Sequence, residues 1–300
     1  MKFALAGNNP TAFDVLRELA ASLEHTLVRC SLSGELAAVA SRSDVPVTLA
    51  ASVEDALLAS DVDTVIIAID DLDESLRIVR AAAQSARNVV VIPPATCSPA
   101  YSFELHLILD ESQCGIMPLL PRAVMAVLPL SAVDLELDEL ATRQLSIELP
   151  LTQASPALLH QTVIQGLDYL SASGFKFTQV TALESNAPDG SLLSRLITLS
   201  AAPTAEKVLP PATLTIKPAA DSGTRHLLQI SQSNATTHSV AIEKATPVLN
   251  RIATVCESRE LCGKWMDAFS VTLELSEAVS KSLRRRRTVD VHFDSGSEKG

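Results

Sequence analysis

Apolar positions in the first 120 residues fall into short continuous runs separated by stretches of helical spacing. Residues 1–6 read as a buried strand that runs into Gly7-Asn8-Asn9-Pro10-Thr11-Ala12. Phe13, Leu16, Leu19, Ala20 and Leu23 then recur every three or four residues, which predicts a helix over 12–23. A strand is expected at 25–30, a helix at 35–41, an extended segment at 45–49 and a helix opening on the cap Ser52. Residues 62–69 read as a strand whose 65–69 run is apolar on both faces, the pattern of a central parallel strand, and 88–92 read as another fully buried strand. Helices over 72–85 and 98–112 and a last strand over 115–119 complete the alternation. Strand and helix in turn predict an α/β doubly wound parallel sheet for residues 1–122.

The pattern changes after Arg122. Residues 142–149 alternate like a half-buried strand, 157–171 form an apolar helix, and strand signals recur at 179–183, 192–200, 212–217, 226–231 and 238–243. Turn residues such as Pro188-Asp189-Gly190 separate them, so residues 123–300 are expected to form an α+β domain with a mainly antiparallel meander. Two helices, near 246–256 and 262–283, and a strand over 288–293 finish the chain. Leu192 and Leu196, with Leu214 and Ile216, suggest a covered sheet face, filled by a second copy of the chain or by its own helix.

Three hundred residues, 47% apolar and 20% charged, suit a folded protein of two domains. No apolar run approaches the roughly 20 residues of a membrane helix, and the first residues lack a signal-peptide h-region, so a cytoplasmic protein that binds no membrane is expected. A net charge of −11 argues against nucleic acid, whose phosphates need clustered cations; one such cluster exists, Arg284 to Arg287. At the end of a long helix, that cluster reads first as a cap for its terminal carbonyls and second as a contact for an anionic partner. The five cysteines lack C-x-x-C spacing and read as buried free thiols, with neither disulfides nor a metal site.

The segment after the first strand keeps one glycine of the dinucleotide fingerprint G-x-G-x-x-G, in which glycines let backbone N–H groups approach a pyrophosphate. Asn9 takes the second glycine position and Ala12 the third. With Gly7, Asn8 and Thr11 these are the candidate cofactor contacts of the first turn. Only 10 glycines occur in the whole chain, which leans against a rich phosphate cradle.

The order of elements, closed by Ser-Leu-Arg-Arg-Arg-Arg-Thr-Val-Asp-Val, resembles the Gfo/Idh/MocA family of NAD(P)-dependent sugar and polyol oxidoreductases. The resemblance implies a Rossmann-like first domain, further cofactor contacts at Ser31, Ala68, Ile69 and Pro94, and a homo-oligomer, a dimer, built through the C-terminal sheet. It also shows departures. The family's Thr-Pro-Asn after the fourth strand reads Ile69-Asp70-Asp71-Leu72-Asp73-Glu74, four acids that suit a helix start better than a phosphate. Its catalytic lysine of Glu-Lys-Pro falls on Pro93, which has nothing to titrate. Its Asp-x-Gly-x-x-x-His helix places His160 on the aspartate and Ile164 on the histidine, with Asp168 one residue out of register for a later aspartate. His160 is thus the candidate catalytic group; a cap or packed side chain is the alternative. At the ribose position Cys30-Ser31, with Arg29 before it and Arg42 beyond, suits NADP over NAD. Arg122 matches the arginine that closes the family's first domain.

Two functions are therefore expected as alternatives: a family homologue that has lost catalysis and persists as a binding or scaffold protein, with or without NAD(P), or a divergent NAD(P)-dependent oxidoreductase of a sugar or polyol that uses His160.

Overall fold

The computed structural model describes residues 1–7, 15, 22, 24–31, 48–50, 52–57, 61–120, 125–127, 142–151, 155–172, 176–200, 211–219, 227–232, 237–244, 248–291 and 293. The helices expected at 12–23 and 35–41 lie outside them. The chain divides into two compact units, Met1–Val124 with Thr246–Ser270, and Met125–Ala245 with Val271–Gly300. A single cut after residue 122 therefore needs correction, because 246–270 return to the first unit. The physical reason is packing: Gly115, just before the last parallel strand, is so close to Cys256 and Cys262 that a Cβ there would lie 2.7 Å from the Cys256 carbonyl and 3.0 Å from the Cys262 sulfur.

In the first unit, strands β1 (Lys2–Gly7), β2 (Thr26–Ser31), β3 (Thr48–Leu49), β4 (Thr64–Ala68), β5 (Asn88–Val91) and β6 (Ile116–Pro118) form a sheet in the order β3-β2-β1-β4-β5-β6. Every neighbouring pair is parallel. All five residues of β4 are 0% exposed, which accounts for its apolar residues on both faces. Helices α1 (Val53–Leu57), α2 (Leu72–Gln84) and α3 (Pro99–Glu111) follow β3, β4 and β5. Ile78, Val79, Ala82 and Ala83 make the buried stripe of α2. Tyr101 of α3 shares a 2.7 Å hydrogen bond with Ser75 of α2 and meets Phe269 edge-on, ring centres 6.5 Å apart.

In the second unit, β7 (Met125–Val127), β8 (Thr142–Leu151), β9 (Gln179–Asn186), β10 (Leu192–Ser200), β11 (Ala212–Pro218), β12 (Leu227–Gln232), β13 (Thr237–Lys244) and β14 (Val289–Asp290) form one sheet, ordered β14-β9-β10-β11-β8-β12-β13-β7. The neighbours are antiparallel except β11 and β8, which run parallel. The expected meander is thus interrupted: β8, the earliest long strand of the unit, is inserted between β11 and β12. Alternation along a strand sets which side chains are buried but not which strand it pairs with, so this insertion is invisible locally.

One face of this sheet is covered by helix α4 (Pro156–Ser171) and by the second half of α6 (Arg259–Arg285), which follows α5 (Val248–Cys256). Ile147 and Leu149 of β8, Ile197 and Leu199 of β10, and Leu214 and Ile216 of β11 pack there with Val163 and Leu167 of α4 and with Leu275 and Val279 of α6. The shared face expected for Leu196, Leu214 and Ile216 is corrected. Leu214 and Ile216 are covered by the chain's own helices, whereas Leu196 is opposite Thr215 and Leu183 and is 38% exposed on the other face. Among the described residues, no helix is long and apolar enough to cross a membrane. All five cysteines are free and buried.

Helix α4 reaches the sheet at Gly166, where a Cβ would lie 2.5 Å from both methyl carbons of Leu214. Gly166→Val is expected to destabilise the fold by about 1–3 kcal/mol through overpacking. Gly263→Ala, in the interior of α6 with nothing within 4 Å of the new Cβ, is expected to stabilise it by roughly 0.5–1 kcal/mol. Urea denaturation of the two variants checks both signs.

Candidate functional site

A sheet buried on both faces offers side chains to ligands only at its ends, and in parallel sheets the ligand end is the carboxyl edge. Five candidates from the sequence lie along that edge of the first unit. Gly7 closes β1 opposite Ala68 of β4, Ala6 pairs with Ser31 at the end of β2, Ile69 follows β4, and Pro94 follows β5 by three residues. Asn8, Asn9, Thr11 and Ala12 lie outside the described residues, as do Arg42 and Arg122.

Gly7 has φ +112°, in the left-handed region, and a Cβ on it would lie 2.1 Å from the Ala68 carbonyl oxygen. The one surviving glycine of the fingerprint is therefore required by the approach of β1 to β4, whether or not a nucleotide binds. The small residues Gly7 and Ala68, with the Ser31 hydroxyl, fit a dinucleotide laid over bare backbone. They supply no cation for its phosphates. Arg29 approaches Asp61, three residues before β4 at the opposite, amino edge, at 3.6 Å.

Two of the four acids after β4, Asp71 and Glu74, have structural duties. The Asp71 carboxylate accepts the Glu74 backbone N–H at 2.8 Å and caps α2. Arg77 donates to Glu74 at 2.7 Å and to Glu54 of α1 at 2.8 Å, and its hydrogen bond holds the Glu74 carboxyl below the ordinary range. The capping role is readable in the sequence as an acid three residues before a glutamate at the start of an apolar stripe.

At the end of β5 the ladder stops at Ile92, whose N–H reaches the Ile67 carbonyl at 2.8 Å. Pro93 and Pro94 follow, and neither has an N–H to extend it. The Pro94 carbonyl accepts from Cys97 at 3.1 Å. Burial pushes the Cys97 thiol up to about 12, so it is an inert neighbour. Burial likewise raises the Tyr101 phenol, whose oxygen is shared with Ser75. Cys97 and Tyr101 therefore both keep their protons near neutral pH.

His160 lies in the second unit, half-buried on α4. The cap of that helix is Ser155, whose hydroxyl accepts the Leu158 N–H at 3.2 Å, so His160 is not the cap. Ile164 and Asp168 follow His160 at intervals of four along one stripe of the helix. Asp168 is 0% exposed, and burial raises the phenol of Tyr169 beside it, with the Asp168 charge adding to the shift. A wholly buried carboxylate is rare. Its signal in the sequence was an acid within an apolar run, and only burial shows how unusual that position is. Among the described residues, no three His, Cys, Asp or Glu side chains are grouped so as to hold a metal ion.

No protein-family model matches the chain, and no curated protein matches it in sequence. Solved structures do resemble it. The myo-inositol dehydrogenase of Lactobacillus casei, in complex with NAD(H) and myo-inositol, aligns over 99% of this chain and 98% of its own, with a TM-score of 0.76 and 12% identity. That of Corynebacterium glutamicum ATCC 13032 aligns over 98% of this chain and 99% of its own, with a TM-score of 0.71 and 14% identity. The biliverdin reductase of Synechocystis sp. PCC 6803, in complex with biliverdin and NADP+, covers 94% of this chain and 99% of its own, with a TM-score of 0.64 and 13% identity. The chain thus has the two-part fold of Gfo/Idh/MocA-type dehydrogenases over nearly its whole length. Polyol and tetrapyrrole ligands on the same fold show that the fold does not set the substrate.

Two variants separate scaffold from site. Gly7→Ala is expected to lose about 3 kcal/mol through its left-handed backbone and its collision with Ala68, so lost ligand binding in it reports misfolding. Asp71→Ala is expected to lose about 1 kcal/mol, the value of a helix cap, with any cofactor affinity unchanged. Thermal melts with and without NADPH distinguish these outcomes.

Proposed function

We propose that this protein is a dinucleotide-fold binding protein that retains the architecture of NAD(P)-dependent oxidoreductases and does not run their hydride-transfer cycle. The observation that carries this reading is Pro93-Pro94 at the end of β5, where the family resembled places its lysine. Oxidation of an alcohol by a nicotinamide requires the hydroxyl proton to leave as the hydride moves. A positioned acid or base contributes about 10²–10⁴ to such a step. Proline cannot take that proton, and Cys97 and Tyr101, the first titratable groups that follow it in the chain, are buried with raised values.

A nicotinamide dinucleotide is the ligand class that best suits the carboxyl edge, and similar structures bind NAD(H) or NADP+. Gly7, Ala68 and Ile69 would hold it by backbone and packing, with Ser31 toward the ribose and Pro94 along the nicotinamide end. The bound group would supply a hydride carrier; the residues described at this edge would bind and orient it. NADP is favoured over NAD by the small hydroxyl of Ser31 in place of an acid, while Arg29 adds little because its guanidinium is turned toward Asp61. Self-association through the C-terminal sheet is part of the same proposal. Leu183, 60% exposed, and Leu196 lie opposite each other on the face away from the helices.

A second reading, a divergent oxidoreductase, rests on His160 and on the buried Asp168 two turns beyond it on α4. Calorimetric titration with NADPH and NADH, followed by a turnover assay on myo-inositol and other polyols, decides between the two. Saturable cofactor binding without turnover is the expected result. Stoichiometric NAD(P)H production that His160→Ala abolishes, with cofactor affinity unchanged, overturns it in favour of the oxidoreductase.

A further inference from the structure

The last turn of α6 leads into Arg284-Arg285-Arg286-Arg287, on a protein with a net charge of −11. Among the described residues, Arg29, Arg77, Arg80, Arg195 and Arg259 each engage a carboxylate or a backbone carbonyl. The guanidinium groups of this run engage neither among the described residues. Of the carboxylates nearby, Glu277 pairs with Lys281 at 3.0 Å and Glu184 with Arg195, while Asp290, which lines the same groove, accepts one hydrogen bond from the Gln179 amide at 3.0 Å and keeps its charge. Attraction to terminal helix carbonyls accounts for Arg284 and Arg285. It does not account for Arg286 and Arg287, which lie beyond the helix.

The turn that holds them is fixed. Arg286 has φ +51°, a left-handed conformation taken here by a residue other than glycine. Ser282, fully buried, donates its hydroxyl to the Arg287 carbonyl at 2.7 Å and accepts the Ala182 N–H of β9 at 2.9 Å. Arg285 and Arg287 consequently line one groove of about 350 Å³ with Lys281, Thr288, Val289 and Asp290. Two guanidiniums without a partner among the described residues, with the Thr288 hydroxyl, which can accept from Thr181 at 2.8 Å and so keep its own proton to donate, match the oxygens of a phosphate, to which arginine donates in a bidentate manner.

We propose that this groove is an anion site for a small phosphate-bearing molecule, with Arg285 and Arg287 as its charged ligands and Thr288 as a hydroxyl donor. The groove is too small for a duplex. Its backbone is set in advance, so binding orders the arginine side chains and not the turn. None of its lining residues is among the candidate cofactor contacts, so it stands or falls independently of the proposed cofactor binding.

The test is calorimetric titration of the full chain with inorganic tripolyphosphate. Saturable one-to-one binding that weakens with added salt is expected. Arg285→Glu with Arg287→Glu should weaken it about tenfold or more, the loss of charge-assisted hydrogen bonds. Lys217→Glu with Lys264→Glu changes the net charge by the same amount at remote exposed positions and should leave affinity within about twofold. Absence of saturable heat, equal weakening in the two double variants, or binding of a short single-stranded oligonucleotide without binding of tripolyphosphate each overturns the proposal. NADPH carries phosphates of its own. A cofactor titration repeated on the Arg285/Arg287 double variant therefore separates this site from the sheet edge.

Discussion

Burial of both faces of the parallel sheet is the constraint on which the first unit depends. With Phe3 to Ala6 of β1 and all of β4 at 0% exposure, the interior of these strands is committed to packing. Hydrophobic burial of this kind is the dominant favourable term in folding. It leaves the strand ends as the positions free to carry chemistry. The same core can therefore support a dehydrogenase or a protein that only binds, according to a few residues at one edge. Fold similarity at 12–14% identity reflects the conserved packing problem and is silent about the edge.

At that edge, the residues here have been taken up by the scaffold. Gly7 is held by its contact with Ala68, and Asp71 by the first turn of α2. Glu74 is bound by Arg77, and the Pro94 carbonyl by Cys97. Each is a local hydrogen bond or steric requirement that would be satisfied in an empty protein as in a loaded one. An edge built this way can lose its proton-transfer group without losing stability.

The second unit shows the opposite economy. Its sheet is covered on one face by helices of the same chain, with Gly166 allowing α4 to approach Leu214 closely. The other face keeps Leu183 and Leu196 in view of solvent. Ser282 accepts the Ala182 N–H of β9 across 100 residues of sequence and donates to the Arg287 carbonyl five residues on, and so fixes a turn of arginines that local propensity would leave loose.

Much of this was legible in the residues. Continuous apolar runs at 62–69 and 88–92 located β4 and β5, and alternation located β8 to β13, because side-chain periodicity is a direct record of which faces are buried. The acids after β4 could be read as a helix start, and Pro93 as the absence of an ionisable group, since both follow from covalent structure. Other features required the folded chain. Neither the insertion of β8 between β11 and β12, nor the return of 246–270 to the first unit, nor the opposite faces of Leu196 and Leu214 is encoded in a local window. Nor was the complete burial of Asp168 or the placing of Arg285 and Arg287 along one groove. The sequence by itself determined the elements and the chemistry each residue can perform; the tertiary structure decided which of those groups are spent on holding the fold. The reason is that burial and partnership are set by contacts between segments far apart in the chain.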